Sequence, residues 1–332
     1  MNYFTKDKPY NTLTEYYKQK YNCKIAKIAL NANFTCPNKD GKKGYGGCTY
    51  CSKLGSGDMA GDVNLPLALQ FKQIQELMDN KWKNTLYMPY LQANSNTYAE
   101  LDKLKEIYNE CLSLAPDKTV GISIATRPDC LNDEIIDYLG ELNTKTNVQI
   151  ELGLQTANEN TGIKINRCSS NDEFITAVNK LRKYNIEIVV HIINGLPYET
   201  RDDMLNTIKF LNKLDIQGIK IHSLLILKDT KIGLEYEQEQ FSILSLKEYV
   251  DIVVQQICIL KPTVIIHRLA ADSIKDNLIT PLWTRKKLVV MNEIDKKLRN
   301  NNLYQGIYYK ENEYERKMWS YQCFTFLYKF IY

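Results

Sequence analysis

The sequence predicts an α/β protein built around a parallel β-sheet. Six short apolar segments typical of strands alternate, between residues 25 and 227, with segments of helical periodicity. The strands are almost continuously apolar, which indicates a sheet that helices cover on both faces. A chain of 332 residues is long enough for one barrel-sized core with appendages. Together these observations predict repeated βα units.

The predicted elements follow one another in a regular order. Strands are expected at residues 25–30, 85–92, 119–125, 148–155, 186–194 and 218–227. Helices are expected at residues 67–78, 97–114 and 133–142, and from Ser170 and Thr200 onward. Three helix starts carry capping-box sequences, namely Thr97/Glu100, Ser170/Glu173 and Thr200/Asp203. Six βα units are too few for a closed eight-stranded barrel.

Two further regions flank the predicted barrel, which occupies residues 24–235. Residues 1–23 are rich in tyrosine and predict a helical N-terminal extension. The pattern changes in residues 236–332, a C-terminal α/β appendage that is expected to pack on the barrel. This region is expected to contain, in order, a helix at 245–260 opened by Ser245/Glu248, a strand at 263–270 and a helix that ends near Asn300. Its aromatic, basic end, residues 308–332, is predicted to pack on the barrel, with stacking on RNA bases as the alternative.

Composition and charge indicate an ordinary globular protein without a membrane span or a disulfide framework. Hydrophobic residues make up 44% and charged residues 25%, as in ordinary globular proteins. The sequence has no apolar stretch long enough for a membrane span and no signal-peptide core at its start, which predicts a cytoplasmic protein without a membrane partner. The nine cysteines are scattered, which argues against a disulfide framework. Residues 1–47 carry nine lysines against three acidic residues, a local charge of +6 that suits nucleic-acid phosphates and equally suits a solvated surface.

The chemistry is concentrated in residues 34–51. This segment holds Cys36, Cys48 and Cys51 among four glycines and contains no long apolar run. Glycine lets a backbone wrap closely around a ligand, and thiolates suit a soft metal or an iron–sulfur cluster. Three thiolates would leave one iron of such a cluster open. A structural zinc site and unrelated buried thiols are the alternatives.

The spacing Cys-x11-Cys-x2-Cys, followed by Ser-Lys-Leu-Gly-Ser, resembles the radical S-adenosylmethionine (SAM) superfamily. Within it the chain is most similar to the YhcC/YtqA-like branch, which is related to the Elongator catalytic subunit. The resemblance covers about residues 5–306. It implies the partial (β/α)6 TIM-like barrel of that superfamily. It also implies a 4Fe–4S cluster on the three cysteines, with SAM bound to the fourth iron.

Further segments carry the resemblance to SAM-binding residues. The polar loop at residues 90–99 is similar to the family segment that binds the SAM amino group, although a loop that caps the next helix would look the same. The Gly-x-Gln and Asn-Arg pair resembles oxygen-independent coproporphyrinogen oxidases, but Cys168 replaces the glycine of the usual Asn-Arg-Gly-His. The residues that the resemblance assigns to SAM are Tyr50, Gln92, Ala93, Asn94, Gln155 and Arg167.

Three other residues are candidates for the substrate side. Arg127 follows the third predicted strand and could contact an anion, with a salt bridge to a nearby aspartate as the alternative. His191 could act as an acid–base group or be a core histidine. His222 alternates with Lys220 on one strand face, so one of that pair is expected to face the site. Glu151 is expected to point into the barrel, where a carboxylate needs a partner.

The resemblance implies that the chain cleaves SAM reductively and generates a 5′-deoxyadenosyl radical that abstracts hydrogen from a substrate. Kinship to the Elongator subunit implies tRNA as partner and wobble uridine as target, for example conversion of a carboxymethylaminomethyl to an aminomethyl side chain. An electron donor such as flavodoxin or ferredoxin would supply the electron. The alternatives are a radical enzyme on a small metabolite or peptide and a non-catalytic, metal-containing RNA-binding module.

Overall fold

The centre of the fold is a seven-stranded parallel sheet. The computed structural model describes residues 3–272 and 276–310 of the chain. Within these residues the strands are β1 (Ile25–Leu30), β2 (Leu86–Leu91), β3 (Gly121–Thr126), β4 (Asn147–Gln155), β5 (Glu187–Asn194), β6 (Gly218–Ser223), β7 (Ile226–Leu227), β8 (Ile265–Arg268) and β9 (Leu278–Thr280). The sheet order is β1-β2-β3-β4-β5-β6-β8, and every neighbouring pair is parallel. The predicted α/β fold with a partial barrel is confirmed.

The sheet differs from the prediction at its last strands. The strand predicted within the C-terminal appendage is β8, which pairs with β6 and becomes the seventh strand of the barrel sheet. The predicted strand 218–227 divides, because β6 ends at Ser223 and β7 forms a separate antiparallel pair with β9. The apolar run through residues 224–227 hides this break, since hydrophobicity does not report a change of strand partner.

Helices follow most of the strands and cover the outside of the sheet. Those in the described ranges are α1 (Leu13–Tyr21), α2 (Leu67–Lys81), α3 (Leu101–Ser113), α4 (Asp133–Asn143), α5 (Glu159–Lys164), α6 (Asn171–Lys183), α7 (Arg201–Leu211), α8 (Lys231–Gln238), α9 (Leu246–Ile259) and α10 (Lys287–Asn300). Capping boxes open α6, α7 and α9, as the sequence predicts. Among these helices, none in the described part of the chain has the length and apolar character needed to cross a bilayer.

The capping box predicted at Thr97/Glu100 is wrong. Helix α3 begins at Leu101, and its N-cap residue Glu100 makes no side-chain cap hydrogen bond. The Thr97 hydroxyl instead donates to the Cys130 carbonyl at 2.6 Å and contacts the Thr126 hydroxyl at the same distance. Thr97 therefore ties the loop after β2 to the end of β3, at the carboxyl edge of the sheet.

The two faces of the sheet have different chemistry. Alternate residues such as Ile28, Ile124 and Leu152 are buried against the helices in one apolar core. Their sequence neighbours Lys27 and Glu151 point to the interior face, where they meet each other. A barrel interior is usually filled with branched apolar side chains. The polar interior here is therefore where a functional site is expected.

The N-terminal extension closes the edge of the sheet at β8. Ile266 donates its backbone N–H to the Asn11 carbonyl at 2.8 Å, and Thr12 pairs with Ile266 as an isolated parallel bridge. The Tyr10 hydroxyl donates to Asp295 on α10 at 2.8 Å. Covering an edge strand removes a site for unwanted strand pairing. The aromatic end predicted at residues 308–332 lies, beyond Lys310, outside the described residues.

Candidate active site

A cavity of about 300 Å³ lies at the carboxyl ends of the parallel strands. The loop after β1 forms one wall, and interior residues of β4, β5 and β6 form the opposite one. This is the edge at which barrel enzymes gather their functional groups. Of the candidates described, Ala93 and Arg167 are buried away from the cavity wall. The predicted residues that line the cavity are Cys36, Cys48, Tyr50, Cys51, Gln92, Asn94, Arg127, Gln155, His191 and His222.

The three cysteines lie on a loop that its own backbone holds in shape. Cys51 donates its N–H to the Cys48 carbonyl at 3.0 Å, and Gly47 donates to the Asn38 carbonyl at 2.7 Å. Gly47 has a φ of +79°, a left-handed conformation that glycine adopts without a Cβ clash. The Asn38 amide also donates to the Cys48 sulfur at 3.5 Å. The loop thus presents the thiols of Cys36, Cys48 and Cys51 on one cavity wall.

Burial affects the protonation of two of the three thiols. It raises the pKa of Cys48 and raises the pKa of Cys51 to about 11, so these two thiols are protonated at neutral pH and must release their protons when they bind a metal. In residues 3–272 and 276–310, no three or more His, Cys, Asp or Glu side chains converge on the position of a single metal ion. A 4Fe–4S cluster does not require this, because each thiolate binds a different iron.

Buried polar atoms without partners mark the rest of the wall. Ser95 Oγ, Ser223 Oγ and His222 Nε2 are buried, and they have no hydrogen-bond partner in the part of the chain that the structure describes. All three residues line the cavity. An unsatisfied buried polar group is costly, so such atoms favour a polar ligand that would complete their hydrogen bonds.

The loop after β2 is tied to the cysteine loop. Asn94 has a φ of +60°, and its amide donates to the Phe34 carbonyl at 2.9 Å while accepting from Lys39 at 3.0 Å. Gln92 donates to the Ser56 carbonyl at 2.8 Å. These contacts hold the cysteine loop against the segment that the sequence assigns to SAM.

Arg127 lines the cavity but already has partners. Its guanidinium forms a bidentate ion pair with Asp129, with N–O distances of 2.9 and 3.1 Å. It also donates to the carbonyls of Arg167 and Cys168 at 2.9 and 3.2 Å. The structure therefore contains the salt bridge that was the alternative to anion binding, and Arg127 joins the loop after β3 to the turn after α5.

Arg167 organises the turn behind the cavity wall. Its side chain donates to the carbonyls of Leu154 and Thr156 at 3.0 and 2.6 Å and pairs with Glu159 at 2.8 Å. Because the guanidinium binds these acceptors, it anchors the end of β4 and does not face the cavity. Cys168, which stands where the family has glycine, keeps the left-handed conformation at a φ of +54°. Cys168 therefore adopts a conformation that is also open to glycine.

A buried charge cluster fills the interior of the barrel beneath the cavity. Glu151 Oε1 accepts from Lys27 at 2.5 Å and from the Ser123 hydroxyl at 3.1 Å. Glu151 Oε2 accepts from Lys220 and contacts His191 Nε2 at 2.6 Å. Glu151 points inward as expected, and Lys220 and His222 both line the cavity, where one of that pair was expected.

The protonation states in this cluster follow from burial and charge. Burial opposes ionisation of Glu151, but Lys220 and Lys27 outweigh it and hold its pKa well below its usual range. Burial lowers the pKa of Lys220 to about 7, against the attraction of Glu151. Burial and Lys220 lower the pKa of His191 to about 4, so this histidine is neutral at neutral pH. Lys220 is therefore a cation that exchanges its proton near neutral pH.

The two candidate histidines form a stack. The rings of His191 and His222 lie 5.2 Å apart between centroids with an interplanar angle of 29°. Burial, followed by the neighbouring His191, holds the pKa of His222 well below its usual range. Both histidines are neutral at neutral pH, so they can offer or accept hydrogen bonds on the cavity wall without carrying charge.

Sequence reasoning missed Lys27 and Arg268. Lys27 interrupts the apolar strand β1, and Arg268 ends the apolar strand β8. A charged residue inside a strand of a sheet covered on both faces is itself the signal, because it must have a buried partner. Arg268 lines the cavity and pairs with Asp272 at 3.1 Å.

A half-barrel with three cysteines after its first strand, and a polar cavity at its carboxyl edge, defines a barrel enzyme that holds an iron–sulfur cluster. The model of the Radical SAM superfamily matches residues 41–211, and that of the Radical_SAM C-terminal domain matches residues 216–300. The chain belongs to the radical SAM superfamily.

Similar proteins extend over most of the chain. The uncharacterized protein YtqA of Bacillus subtilis is 44% identical over 313 residues, which cover 94% of this chain and 97% of the relative. Protein YhcC of Escherichia coli is 32% identical over 86% of this chain and 91% of its own. The archaeal Methanocaldococcus infernus Elp3 with an N-terminal deletion has a similar fold, with a TM-score of 0.66 and 16% identity. That alignment covers 85% of this chain and 64% of the Elp3 chain, and it shows a shared fold.

Family membership makes the chain a radical SAM enzyme whose cofactors are a 4Fe–4S cluster and SAM. The residues present fit both groups. The loop of Cys36, Cys48 and Cys51 offers three thiols on one wall, and the unpartnered polar atoms of Ser95 and Ser223 suit a polar ligand beside them. The predicted resemblance, enzyme class and cofactors are confirmed.

Proposed function

We propose that this radical SAM enzyme acts on tRNA and converts a wobble-uridine carboxymethylaminomethyl side chain to aminomethyl. The observation that supports an RNA substrate is the charge of the cysteine loop. Lys42, Lys43 and Lys53 are exposed on this loop, which lines the cavity through Gly47 and Ser52. Exposed lysines near the entrance of an active site suit the phosphates of a nucleic acid that delivers one base to the cavity.

Similarity to other proteins also supports an RNA substrate. The fold resembles that of the archaeal Elp3. Over 92 residues the chain is also 30% identical to a tRNA-2-methylthio-N(6)-dimethylallyladenosine synthase of Lawsonia intracellularis. The first is a similarity of fold and the second covers 27% of this chain. They support tRNA as the substrate class, and we infer the wobble uridine from kinship to Elongator.

Different residues of the chain would bind the cluster, SAM and the substrate in this reaction. When bound, the cluster and SAM would supply a carbon-centred radical that removes a hydrogen atom from the carboxymethyl CH2 next to the nitrogen. Loss of one further electron from the substrate to the oxidised electron donor would give an imine, which water would hydrolyse to the aminomethyl group and glyoxylate. Cys36, Cys48 and Cys51 would hold the cluster, and the loop after β2 would position SAM against it. Glu151 holds the cation of Lys220 in the cavity, within reach of an anionic substrate. We propose a flavodoxin or ferredoxin as the electron donor.

The test combines nucleoside analysis with charge variants. Cluster-loaded protein, reductant and SAM are incubated with tRNA that carries the carboxymethylaminomethyl group, and the digested tRNA is analysed by mass spectrometry. We expect conversion to aminomethyluridine. The variant Lys42→Gln/Lys53→Gln should raise KM for tRNA and lower the slope of log affinity against log salt by about 1 to 2, because each phosphate contact contributes about 0.7 to 0.9.

A matched control carries the same charge change at the other edge of the barrel. Lys145 and Lys183 are exposed and precede β4 and β5, at the amino ends of the strands. The variant Lys145→Gln/Lys183→Gln should leave the KM and the salt dependence unchanged. Unaltered tRNA in the presence of SAM cleavage would exclude the tRNA substrate and favour a small metabolite or a peptide. An equal effect of both variants would show that the lysines act only through net charge.

A further inference from the structure

Two cations lie side by side on the cavity wall opposite the cysteine loop. The register of β6 and β8 pairs Lys220 with Arg268, so these residues are neighbours on adjacent parallel strands. Both side chains line the cavity. The cysteine loop follows β1, the first strand of the sheet, whereas Lys220 and Arg268 lie on its sixth and seventh strands. The two cations thus come from strands other than the one that leads into the cysteine loop.

This part of the site holds more positive than negative charge. Glu151 pairs with Lys27 and Lys220, and Asp272 pairs with Arg268 and Lys287. Each of these two carboxylates therefore faces two cations. Lys27 and Lys220 are mostly buried around the single carboxylate of Glu151, and a surplus of buried cations favours a further anion.

The guanidinium of Arg268 has N–H groups that are available to a ligand. Among the described residues, Asp272 is the acceptor that contacts it, through one nitrogen at 3.1 Å. Its side chain is about one-third exposed, so it can reach a ligand in the cavity. A guanidinium binds a carboxylate through two parallel N–H groups.

We propose that Arg268 and Lys220 form a carboxylate-binding subsite that recognises the carboxymethyl group of the substrate. The inference rests on the proposed function and adds the residues that select the substrate. Arg268 donates two parallel N–H groups to the carboxylate, and Lys220 adds the second cation. The carboxyl group of SAM is a second source of the same chemistry. Neither Arg268 nor Lys220 is among the residues that the resemblance assigns to SAM, which favours the substrate.

The test measures binding as well as turnover. Cluster-loaded protein is titrated with two tRNAs that differ only at the wobble uridine, one with the carboxymethylaminomethyl and one with the aminomethyl side chain. We expect wild-type protein to prefer the carboxylate by about ten-fold or more, as for a charge-assisted hydrogen bond. Arg268→Gln should reduce that preference to less than about three-fold, and Arg268→Lys should retain part of it. Circular dichroism checks that each variant is folded.

Lys287→Gln is the matched control, because Lys287 pairs with the same Asp272 but does not line the cavity. This variant should keep the full preference. If Arg268→Gln instead weakens binding of SAM alone and leaves the preference between the two tRNAs intact, the subsite serves SAM and the proposal is overturned. If wild-type protein converts the tRNA and Arg268→Gln still discriminates, the subsite is wrong while the proposed function stands. If wild-type protein neither converts nor discriminates, both fail.

Discussion

The buried charge cluster leads to a quantitative prediction for Glu151→Gln. The Glu151 side chain is fully buried and that of Lys220 is 8% exposed, so water cannot replace the lost partner. Removing one member of such a pair leaves an uncompensated buried cation and destabilises a protein by about 3–5 kcal/mol. Unfolding entropy near 2.1 cal/mol/K per residue gives roughly 0.7 kcal/mol/K for 332 residues. The predicted fall in Tm is therefore about 4–7 °C.

The assay is thermal unfolding of the anaerobically prepared protein, followed by near-ultraviolet circular dichroism. The matched control is Glu106→Gln, which breaks an ion pair with Lys103 whose side chains are 66% and 54% exposed. A surface pair contributes about 0–1 kcal/mol, so the control should shift Tm by no more than about 1 °C.

A second variant identifies the cause of the loss. Glu151→Gln leaves both Lys27 and Lys220 without their carboxylate, and adding Lys220→Met removes the more buried of these two cations, so Tm should recover part of the difference. Equal Tm values for Glu151→Gln and Glu106→Gln would contradict a buried ion pair at Glu151, and so would a double variant that is less stable than Glu151→Gln.

Three further predictions concern pH, the cluster and the turn behind the cavity. The pKa of Glu151 is lower in the folded than in the unfolded state, so the carboxylate stabilises the fold fully above its unfolded pKa and loses this effect as the pH falls through its folded pKa. The difference in Tm between wild type and Glu151→Gln should therefore become smaller in acid, and a larger difference would contradict this. Cys48→Ala should lose the bound iron and sulfide, whereas Cys23→Ala, before β1 at the other end of the strand, should keep both in a chemical iron and sulfide assay. Arg167→Lys should lower the free energy of unfolding by about 3 kcal/mol or more. A lysine cannot contact the carbonyls of Leu154 and Thr156 and the carboxylate of Glu159 at the same time. A denaturant midpoint equal to that of wild type would contradict this anchoring role.

The parallel sheet and the position of the cysteine loop at its carboxyl edge were predictable from the sequence because both depend on local patterns. Continuous apolar segments separated by capped helices leave a parallel sheet as the arrangement that buries them. The three cysteines sit on a glycine-rich loop directly after the first of these strands, so their position at the carboxyl edge follows from chain direction alone.

Other features depend on contacts that are distant in sequence. The seventh strand lies 42 residues beyond the end of β6, and nothing in the apolar segment 263–270 says which strand it joins. Thr97 and Glu100 have the spacing of a capping box, yet the Thr97 hydroxyl has a better partner in the Cys130 carbonyl, 33 residues away. A tertiary contact overrides the local signal there.

The two predicted arginines show the same limit at the site. Both carry a guanidinium next to a predicted loop, which suits an anion in either case. The structure gives Arg127 a bidentate partner in Asp129 and turns Arg167 toward backbone carbonyls. Arg268, which faces the cavity with donors to spare, could be suspected from sequence only as a charge at the end of a buried strand.

The most direct test of the enzyme assignment is the formation of 5′-deoxyadenosine. Anaerobically reconstituted protein is mixed with reductant and SAM, and the product is measured by liquid chromatography with mass spectrometry, for wild type, Cys48→Ala and Cys23→Ala. We expect 5′-deoxyadenosine from wild type and Cys23→Ala and none above background from Cys48→Ala. If wild-type protein with a full complement of iron and sulfide forms no 5′-deoxyadenosine, or if Cys48→Ala forms as much as wild type, a radical SAM reaction at Cys36, Cys48 and Cys51 is contradicted.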